Sequence, residues 1–148
     1  MNKFFLVLIL FLNTELISQN NPESFELKLN ISNIESSGNL MIAVWSNSDS
    51  WDNNITNSSG QRIGFDYGFK EKVKKGNFSI TINLPKGTYL ISILLDENFN
   101  NILDKNFIGI PSEQYGFSSK KQIRFRKPKF DEGSIEFSKN SILNIKLQ

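Results

Sequence analysis

Asp96, Asn98, Asn100 and Asp104 occupy the first, third, fifth and ninth places of one short stretch, Asp96-Glu97-Asn98-Phe99-Asn100-Asn101-Ile102-Leu103-Asp104. Alternating oxygen-bearing side chains on a tight loop suit a hard cation, because calcium is held by oxygens alone. A calcium loop of the EF-hand kind draws ligands from positions one, three, five, seven (a backbone carbonyl), nine and twelve, with Gly at six for the sharp turn. Those places fall here on Asp96, Asn98, Asn100, the Ile102 carbonyl and Asp104. Asn101 stands at position six, where Asn tolerates the left-handed backbone better than other side-chain-bearing residues do. Phe107 stands at position twelve and cannot ligate, so the missing carboxylate would have to come from Glu113, with Ile108 to Pro111 folding back. Glu97 would point away from the ligand face. So few carboxylates imply weak binding, in the range of about 10⁻⁴ to 10⁻³ M used by extracellular calcium modules.

Two other chemistries fit the same residues. Asp and Asn side chains bond to the backbone two residues on and favour turns with no metal at all. Carboxylates can also work as an acid and base pair on a glycosidic bond, a role open to Asp96, Asp104 and Glu113. Other chemistries are closed. The chain has no Cys and no His, which removes thiol nucleophiles, thiolate or imidazole zinc sites, and the Ser-His-Asp arrangement. A net charge of +2 is too small to argue for nucleic acid or a charged membrane surface.

The elements that must hold the loop read as strands. Phe25 to Ile31 alternates strictly, with apolar residues at odd positions, as a half-buried strand does. Leu40 to Trp45 is apolar on both faces, and the Gly38 turn between the two suggests a hairpin. Asn47 to Arg62 reads as a polar surface loop, in which Trp51 would either pin the loop or offer a platform to a sugar. Ile63 to Lys70 fits an edge strand or a helical turn, and Lys70 to Gly76 a charged approach to a turn. Phe78 to Leu84 alternates again. Pro85-Lys86-Gly87 is a tight turn, with Pro presetting φ and Gly free to take positive φ. Tyr89 to Leu95 is apolar on both faces apart from Ser92, which places it in the middle of a sheet. It runs directly into Asp96, so the loop starts from a rigid element.

Beyond the loop, Gln122 to Arg126 alternates with its bases outward, and Ser134 to Phe137 with Ser141 to Leu147 suggests a last hairpin. The total is about seven strands and an all-β, antiparallel sandwich of immunoglobulin-like or transthyretin-like type. Phe107, Tyr115 and Phe117 flank the loop, either to pin it or to stack on a sugar. Residues 120–129 hold six bases and no acid. They would bind an anionic polysaccharide or lipopolysaccharide, or guard a sheet edge against pairing.

The first 18 residues read as a secretory leader: Lys3, then an apolar run of nine from Phe4 to Leu12, then a polar stretch closing on Ser18. That run is shorter than the roughly 20 residues a membrane span requires, so no span is expected once the leader is cleaved. A buried N-terminal helix or an uncleaved anchor are the other readings. Residues 19–148 then form one domain, exported to the periplasm or the cell surface.

Three stretches together resemble the domain-of-unknown-function 2141 family of small secreted bacterial proteins. They are Leu84-Pro85-Lys86-Gly87-Thr88-Tyr89, the Asp96 to Asp104 loop, and Gly109-Ile110-Pro111-Ser112-Glu113-Gln114-Tyr115-Gly116-Phe117-Ser118. Pro128-Lys129-Phe130 and the final strands extend the likeness over most of the chain, with Asn101 where members typically carry Gly. The resemblance implies a β-sandwich and export, and no activity. The Leu-Pro-x-Gly-x-Tyr turn is also similar to that of transthyretin-like and collagen-adhesin B-type modules. Transthyretin-like hydrolases depend on His, so their activity does not carry over. The expectation is a non-catalytic envelope module with a calcium-stabilised loop that binds a protein or glycan partner. A small carboxylate-dependent glycan hydrolase is the alternative.

Overall fold

Burial follows the alternation of the strands, and the two faces it defines build a sandwich. The computed structural model describes residues 23–119, 123 and 126–148. The leader at 1–18 lies outside the described residues, as does the strand expected at Gln122 to Arg126 apart from Ile123 and Arg126. In chain order the elements are β1 (Ser24–Ile34), β2 (Gly38–Trp45), α1 (Ser48–Asp52), β3 (Tyr67–Val73), β4 (Gly76–Pro85), β5 (Gly87–Asp96), β6 (Tyr115–Phe117), α2 (Phe130–Gly133), β7 (Ile135–Phe137) and β8 (Ser141–Lys146). One sheet has the order β4-β1-β8; the other runs β3-β2-β5-β6, with β7 also on β5. The core between them takes Leu27, Leu29 and Ile31 from β1, Leu40, Ile42 and Val44 from β2, Ile82 and Leu84 from β4, and Ile91, Ile93 and Leu95 from β5. The all-β sandwich read from the sequence is therefore the fold.

Pairing departs from the sequence reading in three places. β1 and β2 are not a hairpin: β1 pairs with β4 and β8, while β2 pairs with β3 and β5. The chain changes sheet between them after a corner at Asn33, whose φ of 64° interrupts the β1–β4 register. Gly38 is needed at this crossing because a Cβ there would lie 2.6 Å from the Asp96 carbonyl oxygen. The last two strands are no hairpin either, since β7 joins β5 and β8 joins β1. β8 also lies parallel to β1, the exception in an otherwise antiparallel sandwich. Alternation dictates which face is buried; it carries no information about which neighbour is paired.

The turn at Pro85-Lys86-Gly87 likewise crosses between sheets. Gly87 is there for space: Tyr89 folds its ring back so that its hydroxyl donates to the Pro85 carbonyl at 3.0 Å. A Cβ on Gly87 would meet that ring at 2.9 Å. The segment read as a surface loop contains α1, capped by Asn47, whose Oδ1 accepts from Asp49 N at 2.7 Å. Its Trp51 is buried, so Trp51 pins the loop and offers no open face to a sugar.

The Asp96 to Glu113 loop site and the groove beside it

β5 is flanked on both sides, and its last residue is Asp96, fully buried at 0% exposure. Such a carboxylate must find hydrogen-bond donors. It finds the loop's own backbone: Asn100 N donates to Oδ1 at 3.1 Å and Asn101 N to Oδ2 at 2.9 Å. Asn98 Oδ1 accepts from Asn100 N at 3.1 Å, and Asn100 Oδ1 from Ile102 N at 2.8 Å. Phe99 and Asn101 adopt positive φ, 66° and 62°, so Asn101 takes the backbone conformation that a Gly at position six would supply.

Asp104 closes the circle. Its Oδ2 receives Asn98 Nδ2 at 2.5 Å and Asn100 Nδ2 at 3.0 Å. Glu113 is buried and turned toward the loop: Oε1 accepts from Glu97 N at 2.9 Å and Oε2 from Asp104 N at 3.1 Å. Ser112 N adds a bond to the Asp104 carbonyl at 2.8 Å. The fold-back at Ile108 to Pro111 is made by Asn106, whose Oδ1 accepts from Ile108 N and Ile110 N, followed by Gly109 at φ 82°. Asp96, Asn98, Asn100, Ile102, Asp104 and Glu113 thus belong to one hydrogen-bonded unit. Among the described residues, no group of three or more acidic, His or Cys side chains converges on a metal position. Each carboxylate is engaged as a cross-link of the loop.

The aromatic flank divides. Tyr115 and Phe117 are half-buried and in contact, with Phe117 edge-on to Trp51. Phe107 is 99% exposed and pins nothing. Ser118, the end of the second motif, is buried and secures the β5 edge: its Oγ accepts from Ile91 N and donates to the Gly133 carbonyl.

Beside the loop lies a feature that strand patterns do not announce. The outer face of the five-stranded sheet carries Phe117, Ser92, Ala43 and Gly68 in one cross-strand row and Tyr115, Leu94, Met41 and Lys70 in the next. The small middle row leaves a groove of about 790 Å³, one side formed by residues 101–111 and one end by Trp45, Trp51 and Arg62. The Arg62 guanidinium stacks 4.6 Å from both indole rings and donates to Asn54 Oδ1 and the Trp51 carbonyl. Lys127 Nζ lies 4.7 Å from the Trp51 ring and donates to the Trp51 carbonyl and Asn54 Oδ1. Of the basic run at 120–129, Lys120, Lys121 and Arg124 lie outside the described residues. Arg126 is paired with Glu132 at 2.7 Å. The one sequence cue to the groove is Ser92, the lone polar side chain of a strand otherwise apolar on both faces.

Burial, and then the Arg62 charge, bring the Lys127 ammonium down to about 8, with Asp52 opposing. In the unfolded chain this group titrates near 10.5. Between those values the unfolded state binds the extra proton, so stability should rise with pH through that window. Urea denaturation of the protein and of Lys127→Met at stepped pH should show a positive slope above pH about 8 in the former that is flattened in the latter.

A two-sheet sandwich with a carboxylate-locked Asx loop at the end of its central strand defines the class: a β-sandwich domain with one elaborated loop end. The chain belongs to the bacterial family described as "uncharacterized protein conserved in bacteria (DUF2141)", which matches residues 29–144. No curated protein matches the chain. No solved structure matches it either.

Proposed function

We propose that this is an exported, non-catalytic module of the bacterial cell envelope, whose 96–104 loop is steadied by a weakly bound calcium ion and which engages a protein or glycan partner. The observation that carries the ion is the gathering of the Asn98 and Asn100 amides on Asp104 Oδ2, at 2.5 and 3.0 Å. Three side chains placed at ligand spacing meet at one point. An ion at that point would displace the two amide donors from Asp104 Oδ2, with the Asp96 and Glu113 carboxylates and the Ile102 carbonyl as further oxygen ligands. Glu113 reaches the loop from the second motif, as such a site requires. Export is supported by the leader pattern of residues 1–18.

A glycan hydrolase is the weaker reading. Asp96 and Glu113 are buried and turned onto loop N–H groups, whereas an acid and a base must be able to face a substrate.

Calorimetry tests the ion. At about 100 times the dissociation constant, calcium should add ~2.7 kcal/mol to the stability of the protein. Asp104→Ala should unfold at the same temperature with and without it. A calcium response that survives in Asp104→Ala, or no response in the unaltered chain, removes the ion from the proposal. Turnover on a polysaccharide panel that disappears in Glu113→Ala would replace the module with the hydrolase.

A further inference from the structure

We propose that the groove on the outer face of the five-stranded sheet binds a small acyl carboxylate, its chain along Ala43, Ser92 and Leu94 and its head group against Arg62 and Lys127. This goes beyond the envelope-module reading and does not depend on calcium. Three observations lead to it. The size fits: about 790 Å³ lies in the range of roughly 300–1,000 Å³ typical of small-molecule sites. The shape has a cause, since the floor is the small row Ser92 and Ala43 between bulkier neighbours, and Ile102, Leu103 and Pro111 supply an apolar side.

The third observation is charge. Arg62, Lys105, Arg126 and Lys127 line the groove against a single acid, Asp104. Arg126 already has Glu132, and that is the one ion pair among the described residues. Arg62 and Lys127 crowd the same indole, each repelling the other, and are held by carbonyls and Asn54; the Asp52 carboxylate offsets their charge in part without an ion pair to either. Arg62 Nε is buried with no acceptor. Two like charges side by side in an apolar groove are relieved by one anion. Both indoles at that end are buried, and the small floor of Ala43 and Ser92 suits a narrow apolar chain as the rest of the ligand.

The chain's two tryptophans both stand at this end, so their fluorescence reads the site directly. The full chain should give a saturable change with decanoate. It should give one about tenfold weaker with decanol, which lacks the charge, and none with acetate, which lacks the tail. Lys127→Gln should weaken decanoate binding about tenfold. Ala43→Leu, which fills the floor and leaves both cations in place, should weaken it comparably, so the test does not hang on a variant that disturbs the loop. Equal binding of decanoate and decanol overturns the proposal, as does unchanged affinity in both variants. A signal that follows protein concentration, marking a second copy over the groove, also overturns it, as does one seen only with phosphatidylglycerol vesicles. Each outcome can be read with calcium chelated, so it is separable from the fate of the ion.

Discussion

Trp51→Ala should lower the unfolding free energy by about 3–5 kcal/mol, the usual cost of emptying a large aromatic site. Trp51 is 2% exposed on the outer face of the sheet, away from the main core. It is packed edge-on between Trp45 and Phe117, and its Nε1 donates to the Pro128 carbonyl at 2.8 Å. Arg62 and Lys127 both lean on its ring. Removing the ring therefore opens a cavity, orphans the carbonyl and frees two cations together. Trp51→Phe keeps much of the packing and loses the Nε1 bond, and should cost about 1–2 kcal/mol. Urea midpoints of the three proteins, at one slope, check the order. If the alanine variant lies within about 0.5 kcal/mol of the parent, the segment from Asn47 to Arg62 is a surface loop after all.

Glu113→Ala should cost about 2–4 kcal/mol, since it leaves two loop N–H groups, those of Glu97 and Asp104, without their acceptors. Glu113→Gln should recover little of this, because its NH₂ would face a donor where Oε1 or Oε2 now faces one. The loss should be local. Hydrogen exchange at the Glu97 and Asp104 amides should accelerate far more than at Ile91 or Ile93 within β5. Uniform acceleration across β5 would instead mean that the loop and the sheet unfold as one unit.

The strands were legible because a half-buried strand must alternate, and Phe25 to Ile31 and Phe78 to Leu84 do so without a break. β5 was legible as central because both of its faces are apolar. Partners were not legible. Nothing in Ile31 to Leu40 distinguishes a hairpin from a crossing between sheets until one sees the Asn33 corner and the Asp96 carbonyl against Gly38. The loop residues were legible from spacing, and the structure joins all six of them in one hydrogen-bonded unit. The groove was not legible, because it is made by absence. Ala43 and Ser92 become a floor only once β2 and β5 are side by side, and Arg62 and Lys127 meet over Trp51 from distant parts of the chain.

The parallel seat of β8 beside β1 has a consequence for how the chain reaches this state. Asn30 and Asn144, bonded through their side chains, are 114 residues apart. Contacts of such separation are the slow ones, because the loop between them must be closed before they give anything back. Until β8 docks, β1 presents an open edge beside Leu27, Leu29 and Ile31, the kind of row that pairs with a neighbouring molecule. Folding should thus run on a clock set by its final strand, and concentration during that interval decides between one sandwich and an aggregate.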